Sequence, residues 1–200
     1  MIGSFAAATV RLLTGARSRW IGCQPVDIQR VYFANHTSNL DFVMLWAALP
    51  NAVRVKTRPV AAHDYWTTSR VRLYLAEKVF RAVLIERKRV TRTNNPLQPM
   101  LSALADGCSL IIFPEGGRQD EKPGEFKSGL YHLARAQPQL EFVPVYIENL
   151  NRVLPKGEFL PIPILCSVSF GAPLFLATGE EKGAFIKRAR DAMLQLAPIS

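Results

Sequence analysis

Short apolar runs rich in β-branched residues recur along the chain, and stretches with helical periodicity separate them. The run SLIIF, residues 109–113, is almost entirely apolar, as expected for a strand that is covered on both faces. Strands are predicted at residues 31–34, 52–56, 82–85, 109–113, 142–147 and 165–170, and helices at 2–14, 39–48, 64–79, 96–106, 127–137 and 180–195. This alternation predicts one α/β layered domain, in which helices flank a mixed, mostly parallel sheet.

Two stretches depart from the regular alternation. Residues 1–30 contain the predicted N-terminal helix and a lead-in segment, so we assign the layered domain to residues 31–200. Within the predicted strand at 142–147, Pro144 interrupts the run, and a proline in a sheet indicates an edge strand or a bulge. We therefore expect that this strand either lies at an edge of the sheet or contains a bulge at Pro144.

The positive charge is concentrated in the first half of the chain. The formal net charge is +9, and residues 1–92 contain 15 Lys and Arg against 5 Asp and Glu, whereas residues 93–200 contain 10 against 11. The first half should therefore present a basic face to an anionic partner. Nucleic acid, a phosphorylated small molecule and an anionic membrane surface all fit this charge.

The cysteines and the N-terminal segment indicate a reducing compartment. Cys23, Cys108 and Cys166 are odd in number and widely separated, unlike a disulfide framework. No apolar run reaches the ~18 residues of a bilayer span, and the N-terminus lacks the basic leader of a secretory signal. The predicted helix at 2–14 fits either a membrane interface or packing on the domain. We expect a cytoplasmic protein that associates peripherally with the inner face of a membrane.

The segment NHTSNLD, residues 35–41, follows the first predicted strand and has two interpretations. Ser38 and Asp41 have the spacing of a capping box at the start of the next helix. His36 and Asp41 also fit an imidazole that acts as a general base and is oriented by a carboxylate. The two interpretations are compatible, and these seven residues do not decide between them.

A second polar segment, FPEGGR, follows the strand SLIIF. Gly116 and Gly117 allow a ligand to approach the backbone, and the planar guanidinium of Arg118 suits a phosphate. The alternative is a glycine turn in which Glu115 and Arg118 form a salt bridge. Lys127 lies at a predicted helix start, which is a natural anion site.

Charged residues also follow the strand at 82–85, where the stretch ERKR contains Arg87. A solvated basic turn would explain Arg87 equally well. However, His36, Arg87 and the segment 115–118 all come directly after predicted strands, and ligands of layered α/β domains gather where strands open into loops. The pattern predicts one shared site.

These motifs resemble the acyltransferase family that includes the 1-acylglycerol-3-phosphate (lysophosphatidic acid) acyltransferases. That family carries Asn-His-x4-Asp, a basic motif ending in Arg, Phe-Pro-Glu-Gly-Thr-Arg and a Val-Pro-Val-like motif. The corresponding residues here are Asn35–Asp41, Leu84–Arg87, Phe113–Arg118 and Val143–Val145, and FKSG at 126–129 also matches the family's Phe-Lys-x-Gly. The resemblance covers roughly residues 31–150.

The resemblance implies transfer of a fatty acyl group from acyl-CoA or acyl-carrier protein to the hydroxyl of a lysophospholipid. The expected acceptor is 1-acyl-sn-glycerol-3-phosphate, and the product is phosphatidic acid. It also implies a catalytic pair, His36 and Asp41, and substrate contacts by Arg87, Glu115, Gly116, Gly117, Arg118 and Lys127. The acyl donor is a co-substrate, so no cofactor and no metal are expected. Because no cysteine or serine lies in the sequence context of a nucleophile, direct transfer without an acyl-enzyme is expected.

Three departures from the family pattern bear on the acceptor. Gly117 stands where the family usually has Thr, Arg81 where a glycine often opens the second motif, and Leu84 where Phe is usual. Another lyso-lipid head group, glycerol-3-phosphate, or a catalytically silent lipid-surface module therefore remain as alternatives. Nucleic acid is not expected as a partner, because aromatic residues do not interleave with the basic ones.

Overall fold

The computed structural model describes residues 17–38, 40–86, 95–119, 123–148 and 166–198. The predicted helix at 2–14 and the candidate residue Arg87 lie outside these described residues.

The described strands form a single sheet. They are β1 (Arg17–Trp20), β2 (Arg30–Ala34), β3 (Thr57–Ala62), β4 (Val83–Ile85), β5 (Ser109–Ile112), β6 (Glu141–Glu148) and β7 (Ser167–Phe170). Their spatial order is β1-β7-β6-β2-β5-β3-β4. Neighbouring strands are parallel except for β6 and β7, which are antiparallel. The predicted mixed, mostly parallel sheet is confirmed.

Helices cover both faces of this sheet. They are α1 (Asp41–Ala48), α2 (Asn51–Arg54), α3 (His63–Trp66), α4 (Arg70–Tyr74), α5 (Leu97–Ala105), α6 (Gly129–Ala136) and α7 (Lys182–Leu194), and a π-helical turn, Leu75–Val79, continues α4. Among the described residues, no helix has the length and apolar character required to cross a bilayer.

Strand β2 divides the apolar core into two layers. Its residues are all buried, and successive side chains point to opposite faces. Tyr32 and Ala34 pack with the apolar residues of α1, whereas Val31 and Phe33 pack with those of α5, α6 and α7. The segment that follows β2 therefore leaves the sheet from its centre, between two packed layers.

The predicted strand at 52–56 is wrong. Residues 51–54 form helix α2, and the strand begins at Thr57. Pro50, with φ of −56°, precedes the helix, and the buried Arg54 guanidinium donates to Leu49 O and to Asn51 Oδ1, both at 3.0 Å. These local bonds turn the chain back on itself, which the alternating pattern of AVRVK does not reveal.

The predicted helix at 64–79 is divided into separate pieces. Thr67 and Thr68 turn their hydroxyl groups back to the carbonyl groups of α3. Ser69 then takes an extended conformation, and its hydroxyl oxygen accepts a hydrogen bond from Arg72 N at 3.2 Å, so that it caps α4. Hydroxyl side chains that bond to the local backbone compete with a continuous helix in this way.

Two strand assignments also need correction. β1 was not predicted because its residues, RSRW, are mostly polar, but Trp20 stacks on Phe170 of β7 with ring centroids 3.9 Å apart. The expectation of an edge position for Pro144 is wrong, since β6 lies between β2 and β7. The alternative of a bulge is closer to the structure. Val145 pairs with Phe170, and Phe142 pairs with Leu174. Between these two pairs, the segment after β7 therefore has one residue more than β6, next to Pro144.

Arg81 ends the π-helical turn with a left-handed backbone. Its φ is +52°, and it is the non-glycine residue with positive φ in the described part of the chain. Ala82 N donates to Ala76 O at 2.7 Å across this residue, as at a glycine-terminated helix end. A side chain at this position strains the backbone, which gives a physical reason for a glycine there.

Arg81→Gly is expected to stabilise the protein. The left-handed conformation costs a residue with a Cβ ~1 kcal/mol, so the free energy of unfolding should increase by about 1 kcal/mol. Arg81→Ala removes the same charge but keeps the strain, and it is the matched control. Thermal unfolding of the three proteins should show a higher Tm for the glycine variant alone. A gain of the same size in the alanine variant would assign the effect to charge.

Candidate active site

The segment NHTSNLD, residues 35–41, and the segment FPEGGR, residues 113–118, begin at the same edge of the sheet. We call the second segment the glycine motif. β2 ends at Ala34 and β5 ends at Ile112, and these parallel neighbours place Phe33 opposite Ile112. The segments that begin at Asn35 and Phe113 therefore start side by side. The hydrogen bonds described below join them directly.

Asn35 extends β2 by one residue through its side chain. Its Nδ2 donates to Ile147 O at 3.0 Å, and its Oδ1 accepts from Ile147 N at 2.8 Å. The buried amide thus reproduces the two bonds that a backbone residue makes in a sheet ladder. This fixes the start of the loop that carries His36.

His36 and Asp41 form the pair that the sequence predicts. His36 Nδ1 lies 2.7 Å from Asp41 Oδ2, and the same oxygen accepts from Thr37 N at 2.6 Å and from Ser38 N at 2.8 Å. The bond from Ser38 N is one half of a capping box, with Asp41 in the first turn of α1. The reciprocal half is not formed among the described residues, since the helix begins after Leu40 and Ser38 Oγ accepts from Leu40 N at 3.3 Å. The role of His36 as a general base stays a prediction.

The Asp41 carboxyl group is buried in a polar loop. Its side chain is 0% exposed, and burial raises its pKa. The hydrogen bonds from His36, Ser38 and Thr37 act in the opposite direction, because they favour the ionised form. Oδ1 is buried without a hydrogen-bond partner among the described residues. Among the described residues, the His36 ring is the side chain that bonds to this carboxylate, whereas Thr37 and Ser38 donate from the backbone.

The His36 ring is held on one face by an aromatic ring and remains partly exposed. It stacks on Phe113 with ring centroids 4.4 Å apart and an angle of 24° between the rings. The side chain remains 21% exposed. With Nδ1 at Asp41, Nε2 is the ring nitrogen that has no hydrogen-bond partner within the described part of the chain. Phe113 is the first residue of the glycine motif, so the two motifs also share this ring contact.

Glu115 joins the two loops through the backbone. Its Oε1 accepts from His36 N at 3.0 Å, and its Oε2 accepts from Gly124 N at 3.1 Å. Gln119 N donates to His36 O at 2.8 Å, so both backbone groups of His36 are bonded to the segment that follows β5. Glu115 is 4% exposed, and burial raises its pKa above the ordinary value. A salt bridge with Arg118 is not formed within the described residues. A substrate contact by Glu115 stays a prediction.

Gly116 and Gly117 differ in their surroundings. Gly116 has a φ of +71°, and a Cβ at this position would lie 2.7 Å from Lys127 Nζ. The Lys127 side chain therefore crosses directly over Gly116, and Lys127 N donates to Pro114 O at 2.8 Å. A Cβ on Gly117 would meet no atom within 4 Å. The space that the side chain of the family's Thr would occupy is therefore open, and no hydroxyl is present there.

The structure brings most of the predicted site residues to this edge of the sheet. His36, Asp41, Glu115, Gly116 and Lys127 are linked by the contacts given above, and Arg118 is exposed on the same loop. Arg118 has no ion-pair partner among the residues described. Asn35 and Phe113 are structural members of the site whose roles the sequence analysis missed, because their partners are distant in the chain.

Glu115→Gln is expected to change the pH dependence of stability in a defined direction. Because burial raises the pKa of Glu115 above 4.5, the native state retains a proton that the unfolded state has released just above that pH. The free energy of unfolding of the wild type should therefore fall, relative to that of the variant, as the pH rises from the pKa of Glu115 in the unfolded state to its higher pKa in the native state.

Chemical denaturation of both proteins between about pH 4 and about pH 8 measures this difference. Glu125→Gln is the matched control, because the Glu125 side chain is 88% exposed. A difference between wild type and Glu115→Gln that is independent of pH would contradict the assigned burial.

Curated proteins with similar sequences are acyltransferases. A probable 1-acyl-sn-glycerol-3-phosphate acyltransferase of Mycoplasma pneumoniae is 32% identical over 106 residues, which is 50% of this chain. A 1-acyl-sn-glycerol-3-phosphate acyltransferase of Chlamydomonas reinhardtii is 30% identical over 142 residues, or 67% of this chain. Each alignment spans 38% of the relative's own length.

The fold is that of a solved acyltransferase. The crystal structure of the 1-acyl-sn-glycerophosphate (LPA) acyltransferase PlsC from Thermotoga maritima superposes with a TM-score of 0.75 at 19% sequence identity. The superposition covers 98% of this chain and 79% of the PlsC chain. The family model described as Acyltransferase matches residues 24–148, a range that includes all the candidate site residues named above. The chain belongs to the Acyltransferase family.

Proposed function

We propose that the protein transfers a fatty acyl group from acyl-CoA or acyl-carrier protein to the free hydroxyl of 1-acyl-sn-glycerol-3-phosphate, giving phosphatidic acid. One observation carries this proposal: His36 Nδ1 is held 2.7 Å from a fully buried Asp41 oxygen, while the ring stays partly exposed. The related 1-acyl-sn-glycerol-3-phosphate acyltransferases support the choice of acceptor.

The chemical step requires a base because a free hydroxyl is a poor nucleophile. His36 Nε2 takes the proton of the acceptor hydroxyl as its oxygen attacks the thioester carbonyl carbon. The hydrogen bond to Asp41 fixes the tautomer that leaves Nε2 unprotonated and stabilises the imidazolium that forms. The same carboxylate also accepts from Thr37 N and Ser38 N, but that structural role does not require an imidazole, so the His36–Asp41 pair favours an enzyme over a binding module without chemistry.

The second half of the reaction returns the proton. The tetrahedral intermediate collapses, the carbon–sulfur bond breaks, and the imidazolium protonates the departing thiolate. The acyl group passes directly between the two substrates, so both occupy the site together. Gly116 N donates to Phe113 O at 3.0 Å and is already engaged, so the oxyanion requires another donor of this loop.

Arg118 and Lys127 are proposed to bind the acceptor phosphate. Arg118 is exposed on the loop that contacts His36, and Lys127 lies over Gly116 on the same loop. A bidentate guanidinium and a point-charge ammonium are complementary phosphate ligands. Arg87 is proposed as a third cation. Because acceptor and product are lipids, we propose that the protein works peripherally at the inner face of a membrane.

His36→Ala is expected to abolish transfer without loss of the fold. Removal of a general base costs ~100-fold or more in rate, and Asp41→Asn should also lose most of the activity, since the amide cannot stabilise the imidazolium. Purified proteins assayed with labelled acyl-CoA and 1-acyl-sn-glycerol-3-phosphate measure the rates.

His132→Ala is the matched control, because His132 lies on α6 outside the site and its variant should retain wild-type activity. Circular dichroism establishes that each variant is folded. A folded His36→Ala protein that keeps more than about a tenth of the wild-type rate would exclude His36 as the base.

Arg118→Ala is expected to raise the KM for the lysophospholipid at least about tenfold and to leave the KM for the acyl donor within about twofold. The loss of one charged hydrogen bond of ~1.5 kcal/mol or more corresponds to this factor. Arg135→Ala is the control, since Arg135 is an exposed arginine in the last turn of α6. Equal increases in both KM values would contradict a phosphate contact by Arg118.

A further inference from the structure

The helical segment Arg70–Val79 turns an apolar face away from the core. Val71 is 70% exposed, Tyr74 is 54% exposed and Leu75 is 36% exposed. Residues at positions i, i+3 and i+4 of a helix share one side, so these three side chains form a single patch, which we call the α4 patch. The opposite side of the segment carries the buried Ala76. This arrangement reverses that of a surface helix, whose outward side is normally polar.

The α4 patch is bordered by positive charge. Arg70, Arg72 and Lys78 are exposed in the same segment, Arg81 follows it, and Glu77 is the acidic residue of the segment. The Arg72 guanidinium lies 4.7 Å from the Tyr65 ring centroid and donates to Thr68 Oγ1 at 3.0 Å, so this border cation has a fixed position. An apolar centre with a cationic border is complementary to a surface that is apolar inside and anionic outside.

The chain that leaves the α4 patch enters a cluster of aromatic rings beside α1. Phe80, directly after the segment, contacts Phe42 with ring centroids 4.9 Å apart, and Phe42 contacts Trp66 at 5.4 Å. Phe42 is the residue after Asp41 in α1. The segment that carries the α4 patch is therefore followed by a buried ring that packs on the helix beginning at Asp41.

We propose that the α4 patch is a docking surface for an anionic lipid bilayer. Val71, Tyr74 and Leu75 enter the interfacial region, and Arg70, Arg72 and Lys78 face the lipid phosphates. A bilayer matches both the apolar centre and the cationic border. The inference deepens the proposed function and rests on it for its purpose, because lipid substrates would then enter from the membrane on which the site is docked.

Vesicle co-sedimentation of the full chain tests the proposal without any substrate. On vesicles of phosphatidylcholine with about 30% phosphatidylglycerol, Val71→Ser/Leu75→Ser should bind about tenfold more weakly than the wild type. Arg70→Gln/Lys78→Gln should lose about tenfold on these vesicles and show no loss on pure phosphatidylcholine. Val71→Trp, which enlarges the apolar centre, should bind more tightly and shift its tryptophan emission to shorter wavelength when vesicles are added.

The matched control is Val55→Ser/Ile28→Ser. Val55 and Ile28 are 55% and 45% exposed, and Val55 lies shortly before the start of β3, at the opposite edge of the sheet from the active site. This control should bind vesicles like the wild type. Equal losses of vesicle binding in Val71→Ser/Leu75→Ser and in the control would overturn the proposal. Wild-type binding by Val71→Ser/Leu75→Ser, together with no gain in Val71→Trp, would also overturn it.

Two further measurements separate the proposal from its alternatives. If the α4 patch contacted a second copy of the chain, Val71→Ser/Leu75→Ser would change the oligomeric state in sedimentation velocity without vesicles, and the bilayer proposal would fail. The same variant should keep wild-type acyl transfer to substrate presented in detergent micelles. A protein that binds vesicles through the patch but transfers no acyl group refutes the proposed function and leaves the docking surface intact.

Discussion

A fully buried carboxylate oxygen, Asp41 Oδ2, accepts three hydrogen bonds within one short loop: from the His36 ring, from Thr37 N and from Ser38 N. These bonds fix the direction of the imidazole, the turn after β2 and the first turn of α1 at the same time. Burial raises the pKa of this carboxyl group, and the three bonds favour its charged form. The geometry of the proposed catalytic base thus depends on contacts that also fix the chain at the start of α1.

The topology of the sheet adds a second constraint on His36. Because β2 and β5 are parallel neighbours, Glu115 comes within reach of His36 N, and Gln119 N within reach of His36 O. Burial raises the pKa of Glu115, and the hydrogen bonds from Gly124 N and His36 N act in the opposite direction. Two buried carboxyl groups therefore share one histidine: Asp41 orients its ring, and Glu115 holds its backbone.

The sequence predicts those parts of the fold that depend on local patterns. β2 and β5 are predicted because buried parallel strands are continuous apolar runs, and the His36–Asp41 pair is predicted because both residues lie in one short polar segment after a strand. β1 was missed because its polar residues reveal nothing of the partner strand β7.

Other features depend on partners that are distant in the chain. The Asn35 amide pairs with Ile147, which is 112 residues away, and the Glu115 carboxylate with His36, which is 79 residues away. The prediction of a strand at 52–56 is wrong for a different reason. Hydrogen bonds from the Arg54 guanidinium stabilise a short helix, and an alternating pattern contains no information about these bonds.

The protonation state of the His36 ring tests the account most directly. A ring that donates from Nδ1 to Asp41 leaves Nε2 free to accept the proton of a hydroxyl. Nitrogen-15 NMR of uniformly labelled protein distinguishes the two tautomers of the uncharged ring, and the His36→Ala variant assigns the signals among the 3 histidines of the chain. The account predicts that His36 carries its hydrogen on Nδ1. A ring that carries it on Nε2 would contradict the assignment of His36 as the base.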